Sequence, residues 1–205
     1  MIGLDVDLIL PKNLHENYYE MLDLFKISYK KINFDKKLKF EKLYVPGFTS
    51  RGIRYPLSFS RDCYKYFGKN LTREIRDNKP CFVRHTTQTS IKDPRILDNE
   101  RELIETISGF AKVISPAEHL ITKQIQLFSG KKNLAGVDSS AMHNLIFCDE
   151  GSKQMIISSS KRLNLIHSNI SALKETNLYL NETNDNLDCI QANINFFVDF
   201  LSEKI

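Results

Sequence analysis

From Pro80 onward the sequence alternates short apolar runs with amphipathic stretches, and this rhythm limits the possible folds more than any other feature of the chain. Residues 81–84, 112–114, 134–137 and 154–157 are apolar runs of strand length. Between them, residues 98–108, 119–128 and 141–148 read as helices; in the first of these, Leu103, Ile104 and Ile107 share a face. Strands separated by helices in this way pair in parallel, because a parallel neighbour is reached only through a crossover. The expected fold is α/β: a Rossmann-like parallel sheet with helices on both faces. Residues 161–205 read as mostly helical and complete the domain. Ligands of such sheets sit beyond the carboxyl ends of the strands, where the strand order reverses. That places the candidate site just after Arg84 and just after Val137.

The amino-terminal part follows a different plan. Residues 6–10 read as a strand stopped by Pro11, and Asn13 is placed to cap a helix that carries Tyr18, Met21, Leu22 and Phe25. Residues 31–34 and 38–45 alternate apolar and polar side chains and read as strands ended by Pro46-Gly47. Residues 47–56 read as a loop and 58–77 as a helix. The expected organisation is therefore the end or remnant of an N-terminal α/β domain over 1–50, a connecting loop and helix over 51–79, and the Rossmann-like domain over 80–205.

Composition excludes several classes. With 41% hydrophobic and 26% charged residues, a chain of 205 residues can bury a core without disulfides or metals. Its four cysteines form no CxxC pair and no zinc spacing, which suits a reducing compartment. Asp5 and Asp7 interrupt the first apolar stretch, so it does not read as a signal peptide, and no run reaches the roughly 18 apolar residues of a membrane span. The sequons at Asn70, Asn169 and Asn181 read as chance in an Asn-rich chain. The expected location is cytoplasmic, with a peripheral contact to the inner membrane as an alternative. The formal net charge is only +4, and nucleic-acid-binding motifs are absent, so no nucleic-acid partner is expected. One cationic run stands out: Lys30, Lys31, Lys36, Lys37, Lys39 and Lys42, interleaved with Phe34, Leu38 and Phe40. It reads either as the solvated face of a strand or as a contact with an anionic membrane or acidic polymer.

Two segments have the residue types for chemistry. Arg84 closes a buried-type strand and Arg95 opens the next helix region; two converging guanidinium groups would clamp a phosphate. Alternatively, Arg95 pairs with Glu100 or Glu102 on the surface. The second segment, Gly136-Val-Asp138-Ser139-Ser140-Ala-Met-His143-Asn144, reads as strand, tight turn and helix. Free N–H groups at such a helix start attract anions, and Ser139 and Ser140 add hydroxyl donors. Alternatively, Asp138 or Ser139 simply caps the helix. His143 lies on the first turn, while His15, His119 and His167 read as surface residues. There is no Gly-x-Gly-x-x-Gly, no Walker motif and no nucleophile elbow.

Taken in order, these segments resemble glycosyltransferase family 61, which contains bacterial capsular-polysaccharide transferases, plant xylan-decorating transferases and animal O-linked N-acetylglucosaminyltransferases. The matching pieces are Val83-Arg84, Arg95-Ile-Leu-Asp-Asn99-Glu100, Gly109-Phe110-Ala-Lys-Val113, Gln124-Ile-Gln-Leu127-Phe128, the Gly136–Phe147 segment and Gly151-Ser-Lys-Gln-Met-Ile156. They span roughly residues 80–158, with weaker echoes from Val6 to Pro46. The resemblance implies the nucleotide-binding half of a GT-B fold. It implies a nucleotide-sugar donor, a glycan or glycolipid acceptor, inversion at the sugar, and no metal or other cofactor. It further implies that Arg84, Arg95, Asn99, Glu100, Gln124, Ser139, Ser140 and Asn144 shape the donor site, with Asp138 and His143 as the base candidates. The chain departs from the pattern where His-Gly-Ala becomes Asp138-Ser139-Ser140, Val-Ile-Glu becomes Ile156-Ile157-Ser158, and Lys123 replaces an acidic residue. A carboxylate at position 138 would repel a diphosphate. Much of the family's first domain has no counterpart, so a second chain supplying that half, or a catalytically degenerate module serving as a binding subunit, is the alternative expectation.

Overall fold

The computed structural model describes residues 7–35, 37–44, 50–51, 55–56, 78–85, 97–159, 164–183 and 192–204. Its centre is a five-stranded, wholly parallel sheet. Numbering along the chain, β1 is Leu8–Pro11, β2 Tyr29–Ile32, β3 Ser50–Arg51, β4 Tyr55–Pro56, β5 Cys81–Val83, β6 Lys112–Ile114, β7 Asn133–Val137, β8 Lys153–Ser159 and β9 Leu178–Thr183. The helices are α1 Glu16–Leu24, α2 Glu100–Ile107, α3 Ile121–Phe128, α4 Ile166–Lys174 and α5 Ile194–Leu201. A 3₁₀ turn covers Pro116–Glu118 and a longer 3₁₀ helix Ser140–Phe147.

The strand order β6-β5-β7-β8-β9 bears out the Rossmann-like expectation. The chain steps one way from β5 to β6, then crosses back past β5 to β7 and continues outward. The order therefore reverses between β5 and β7. The two-residue period of the strands splits the core into two layers. Phe82, Ala135, Val137, Met155 and Ile157 face α2 and α5, where Leu103, Ile107, Phe197 and Phe200 are fully buried. Cys81, Val83, Leu134 and Ile156 face the other way, onto Phe128, Met142, Leu145 and Ile170.

Gly136 lies where β5, β7 and the 3₁₀ helix converge. A Cβ there would stand 2.7 Å from the Val83 carbonyl oxygen, 3.2 Å from Val83 Cβ and 2.6 Å from Met142 Sδ. Only a residue without a side chain lets the 3₁₀ helix close down on the end of the sheet at this point.

Several local expectations are corrected. Residues 141–148, read as a short helix, form a 3₁₀ helix over Ser140–Phe147. Its buried apolar residues explain the tighter winding: Met142, Leu145 and Cys148 recur every third residue and all join one core cluster. A three-residue period aligns them at three residues per turn, whereas on an α-helix they would drift sideways by roughly 60° at each step. Over the described part of 161–205 the expected helices form as α4 and α5, but a strand not expected there, β9, forms the far edge of the sheet on β8. As an edge strand β9 leaves Leu180 48% exposed, which blurs the apolar signal of a buried strand. The strand expected over 31–34 is β2, two residues earlier, paired in parallel with β1. The strand expected over 38–45 is absent: residues 37–44 carry no regular structure. Their apolar members are exposed, so alternation without a face to bury against does not make a strand. Helix α1 is capped by His15 rather than Asn13; His15 Nδ1 accepts from Asn17 N–H at 3.2 Å. The helix expected over 58–77 lies outside the described residues.

Candidate functional site at the strand-order reversal

A cleft of about 640 Å³ opens beyond the carboxyl ends of β5 and β7. Its floor carries Arg84 and His85 after β5, and Ser140, Ala141 and Asn144 after β7. Both strand ends singled out from the strand rhythm border this cleft. One side is formed by Pro116, Ala117 and Gln124. A further wall comes from His15, Asn17, Tyr18 and Met21, on or just before α1, which the sequence did not single out as site residues.

Each floor residue is held by a specific contact. Arg84 donates from its terminal Nη2 to Glu100 Oε2 at 2.8 Å. Glu100 beside it holds the Arg84 guanidinium above its already high range, against the opposing effect of burial. The Arg84 side chain is still 42% exposed, and one carboxylate oxygen accounts for one of a guanidinium's five donors. Glu100 thus orients Arg84, whereas the surface reading had paired it with Arg95; Arg95 itself lies outside the described residues. Gln124 and Asn144 form a second clamp. Asn144 Nδ2 donates to Gln124 Oε1 at 3.0 Å and to the Ala141 carbonyl at 3.0 Å, while Gln124 Nε2 donates to the His119 carbonyl at 2.8 Å. These bonds tie α3 to the 3₁₀ helix across the cleft.

Asn99 has a different place. Its amide exchanges two hydrogen bonds with the Ala192 backbone, both 2.9 Å long, and latches the start of α2 to the chain entering α5. It is not among the residues lining the cleft.

The segment after β7 turns on Asp138. Its Oδ1 lies 2.8 Å from His167 Nε2, and its Oδ2 accepts from Asn164 N–H at 3.0 Å and from the Ser158 hydroxyl at 3.3 Å. The Asp138 side chain is 11% exposed and that of His167 is fully buried, so the surface reading of His167 is corrected. Burial pushes the Asp138 carboxyl upward; His167, the Asn164 N–H and the Ser158 hydroxyl outweigh it and hold the group below its ordinary range. The carboxylate is thus an ion whose oxygens are already engaged within the fold. His143 packs its ring 5.1 Å from that of His167. Burial, and then the neighbouring His167, lower its pKa to about 4, with Asp138 opposing. Neither Asp138 nor His143 lines the cleft.

The capping alternative does not hold here. The 3₁₀ helix starts at Ser139 with no side-chain cap, because Asp138 is turned to His167 and the Ser139 hydroxyl is buried without a partner among the described residues. The first bond within this helix runs from Met142 N–H to the Ser139 carbonyl, so the N–H groups of Ser140 and Ala141 precede the ladder. Ser140 is exposed on the cleft floor.

The other helix start near the cleft is occupied. Glu20 of α1 accepts from Ile121 N–H at 2.8 Å, from Thr122 N–H at 3.2 Å and from the Thr122 hydroxyl. A carboxylate at the positive end of α3 leaves no room there for a ligand anion and fastens α1 to α3. Tyr19, the buried residue of α1, reinforces the wall by stacking on Tyr29 with ring centroids 5.6 Å apart. Replacing Glu20 with alanine is expected to cost about 1–2 kcal/mol, as loss of a helix cap does. Urea unfolding would read this, and a change below about 0.3 kcal/mol would mean that α1 is held by other contacts.

Among the described residues, no group of three or more His, Cys, Asp or Glu side chains is placed to hold a metal ion, and no helix is long and apolar enough to cross a membrane. No curated protein matches the chain. The sequence profile described as Glycosyltransferase 61 matches residues 7–155, which run from β1 into β8 and take in the α1 wall, both strand ends and the 3₁₀ helix. With most of its length matched and a cleft at the reversal of a Rossmann-like sheet, this chain belongs to glycosyltransferase family 61.

Proposed function

We propose that the cleft holds the diphosphate of a nucleotide sugar and that the chain transfers the sugar to an acceptor hydroxyl in the synthesis of a surface (capsular) polysaccharide. The observation that carries this reading is that a carboxylate-oriented Arg84 lines the same cleft as Ser140 and Ala141, at the uncapped start of the 3₁₀ helix. A guanidinium and a helix start beside one cleft are the groups that bind a diphosphate and stabilise it as a leaving group. Glu100 acts through Arg84; Gln124 and Asn144 fix the floor; Ser140 supplies a hydroxyl, while Ser139, named with it by the family resemblance, has its hydroxyl buried away from the cleft. In the same scheme Arg95 joins the clamp. A base removes the acceptor proton as the hydroxyl attacks the anomeric carbon. Asp138 and His143 are the candidates that the family resemblance offers for that role, although neither lines the cleft; of the two, His143, unprotonated at neutral pH, is in the form that accepts a proton. No cofactor is assigned.

Calorimetric titration with uridine, guanosine and cytidine diphosphates, in chelator, tests the proposal. One of them is expected to bind, and Arg84→Ala is expected to weaken it about 10–100-fold, the worth of a charge-assisted contact. Unchanged affinity in that variant would move the diphosphate out of the cleft. No binding by folded protein would leave the second reading, a catalytically degenerate module that partners another chain. That reading is favoured by one observation: both carboxylate oxygens of Asp138 are engaged by His167, Asn164 and Ser158, which leaves Asp138 a structural role.

A further inference from the structure

The charge of the chain is unevenly placed. Residues 29–44 contain six lysines and two acids, a balance of +4, which equals the formal net charge of the whole protein. The remaining residues together carry none. Lys30 answers Asp7 at 2.5 Å, and Lys31 sits over the Tyr19 ring at 3.7 Å, so these two hold β2 in place. Lys37, Lys39 and Lys42 lie beyond β2, in the stretch without regular structure, and all three are exposed.

The same stretch exposes large apolar side chains. Phe34 is 59% exposed, Leu43 59%, Tyr44 47%, Leu38 43% and Phe40 40%. These five account for half of the exposed large hydrophobic residues among those described, and they fall within eleven consecutive positions. Scattered exposed apolar residues need no explanation, but a run of them interleaved with lysines does.

We propose that residues 34–44 are a membrane-contact segment, which inserts its aromatic and leucine side chains at the headgroup boundary of an anionic bilayer while its lysines meet the lipid phosphates. Charge complementarity selects an anionic partner, and the apolar residues select a bilayer over a soluble polyanion, since a polyanion gives Phe34, Phe40 and Leu43 nothing to enter. Apolar burial and lysine attraction are each weak, and stable attachment comes from the two combined. The inference stands apart from the chemistry of the cleft.

Co-sedimentation of the full chain with vesicles tests it, comparing pure phosphatidylcholine with a mixture containing 30 mol% phosphatidylserine (roughly the anionic share of a PS-rich leaflet). Binding is expected only to the anionic vesicles. Lys37→Glu with Lys39→Glu and Lys42→Glu is expected to lower the partition coefficient about 100-fold, from about fivefold per lysine removed. Phe34→Ser with Phe40→Ser is expected to lower it at least tenfold at unchanged charge. Both variants alter exposed side chains outside the strands, and retained thermal unfolding shows that the fold survives. Equal binding to both vesicles, or none, overturns the proposal. So does binding that disappears in salt and ignores the Phe34 and Phe40 changes, which would identify a soluble polyanion. Concentration-dependent dimerisation abolished by the same serine variants would assign the segment to a second copy of the chain.

Discussion

Gly136→Val is expected to unfold the protein at temperatures where the native chain is stable, and Gly136→Ala to lower its stability by about 2–3 kcal/mol. For a chain of this size that alanine loss corresponds to a fall of roughly 5–10 °C in midpoint. The cause is the 2.7 Å approach of a Cβ at position 136 to the Val83 carbonyl oxygen. Met142 Sδ, at 2.6 Å, is the end of a flexible side chain and can shift. The Val83 carbonyl cannot, because it belongs to the backbone of β5, paired with β7 at Val83 and Gly136. Accommodating a methyl group would mean separating the two strands whose carboxyl ends bound the cleft. Thermal and urea unfolding would read the effect. An alanine variant within about 0.5 kcal/mol of the native protein would show that β5 and β7 move apart freely.

Asp138→Ala is expected to cost about 3 kcal/mol or more, since it strips an acceptor from the buried His167, from the Asn164 N–H and from the Ser158 hydroxyl together. Asp138→Asn, which keeps an acceptor oxygen, is expected to lose less. A role confined to ligand binding would leave stability unchanged in both. The same cluster sets the response to acid. His143 titrates near 4 in the fold, below its ordinary 6.5, so between these values the unfolded chain takes up a proton that the folded chain refuses. Stability therefore falls as pH drops from 6.5 toward 4. Asp138 is shifted below its ordinary 3.8, so its stabilisation is present above that value and is lost as pH falls through the lower, folded-state value. Unfolding followed across this range should show a positive slope of stability with pH. His143→Gln, which takes up no proton, should flatten it above pH 4 without removing the steeper acid limb.

The cationic segment and the cleft answer to different measurements. Loss of vesicle binding with nucleotide affinity intact, or the reverse, would separate the membrane assignment from the donor-site assignment, because residues 34–44 are not among those lining the cleft.

The parallel sheet and the position of its cleft were readable from the residues alone. The continuous apolar runs that hold Phe82, Val83, Leu134, Ala135, Met155 and Ile157, and the helices between them, are properties of adjacent residues, and a reversal of strand order leaves few places for a ligand. The family resemblance rested on the same ordered segments. Tertiary structure decided the partners. Glu20 reaches Thr122 across 102 positions, Asn99 reaches Ala192 across 93, and Asp138 reaches His167 across 29. No local period encodes such a pairing, because a carboxylate at the surface and one locked to a buried imidazole have the same neighbours in sequence. For the same reason α1 read only as an amphipathic helix until its docking on α3 made it a cleft wall, and β9 went unread until β8 supplied its partner. Segments such as residues 37–44 mark the converse limit: alternation was present in the sequence, but a strand needs a neighbour to bond and a face to bury, and the fold provides neither there.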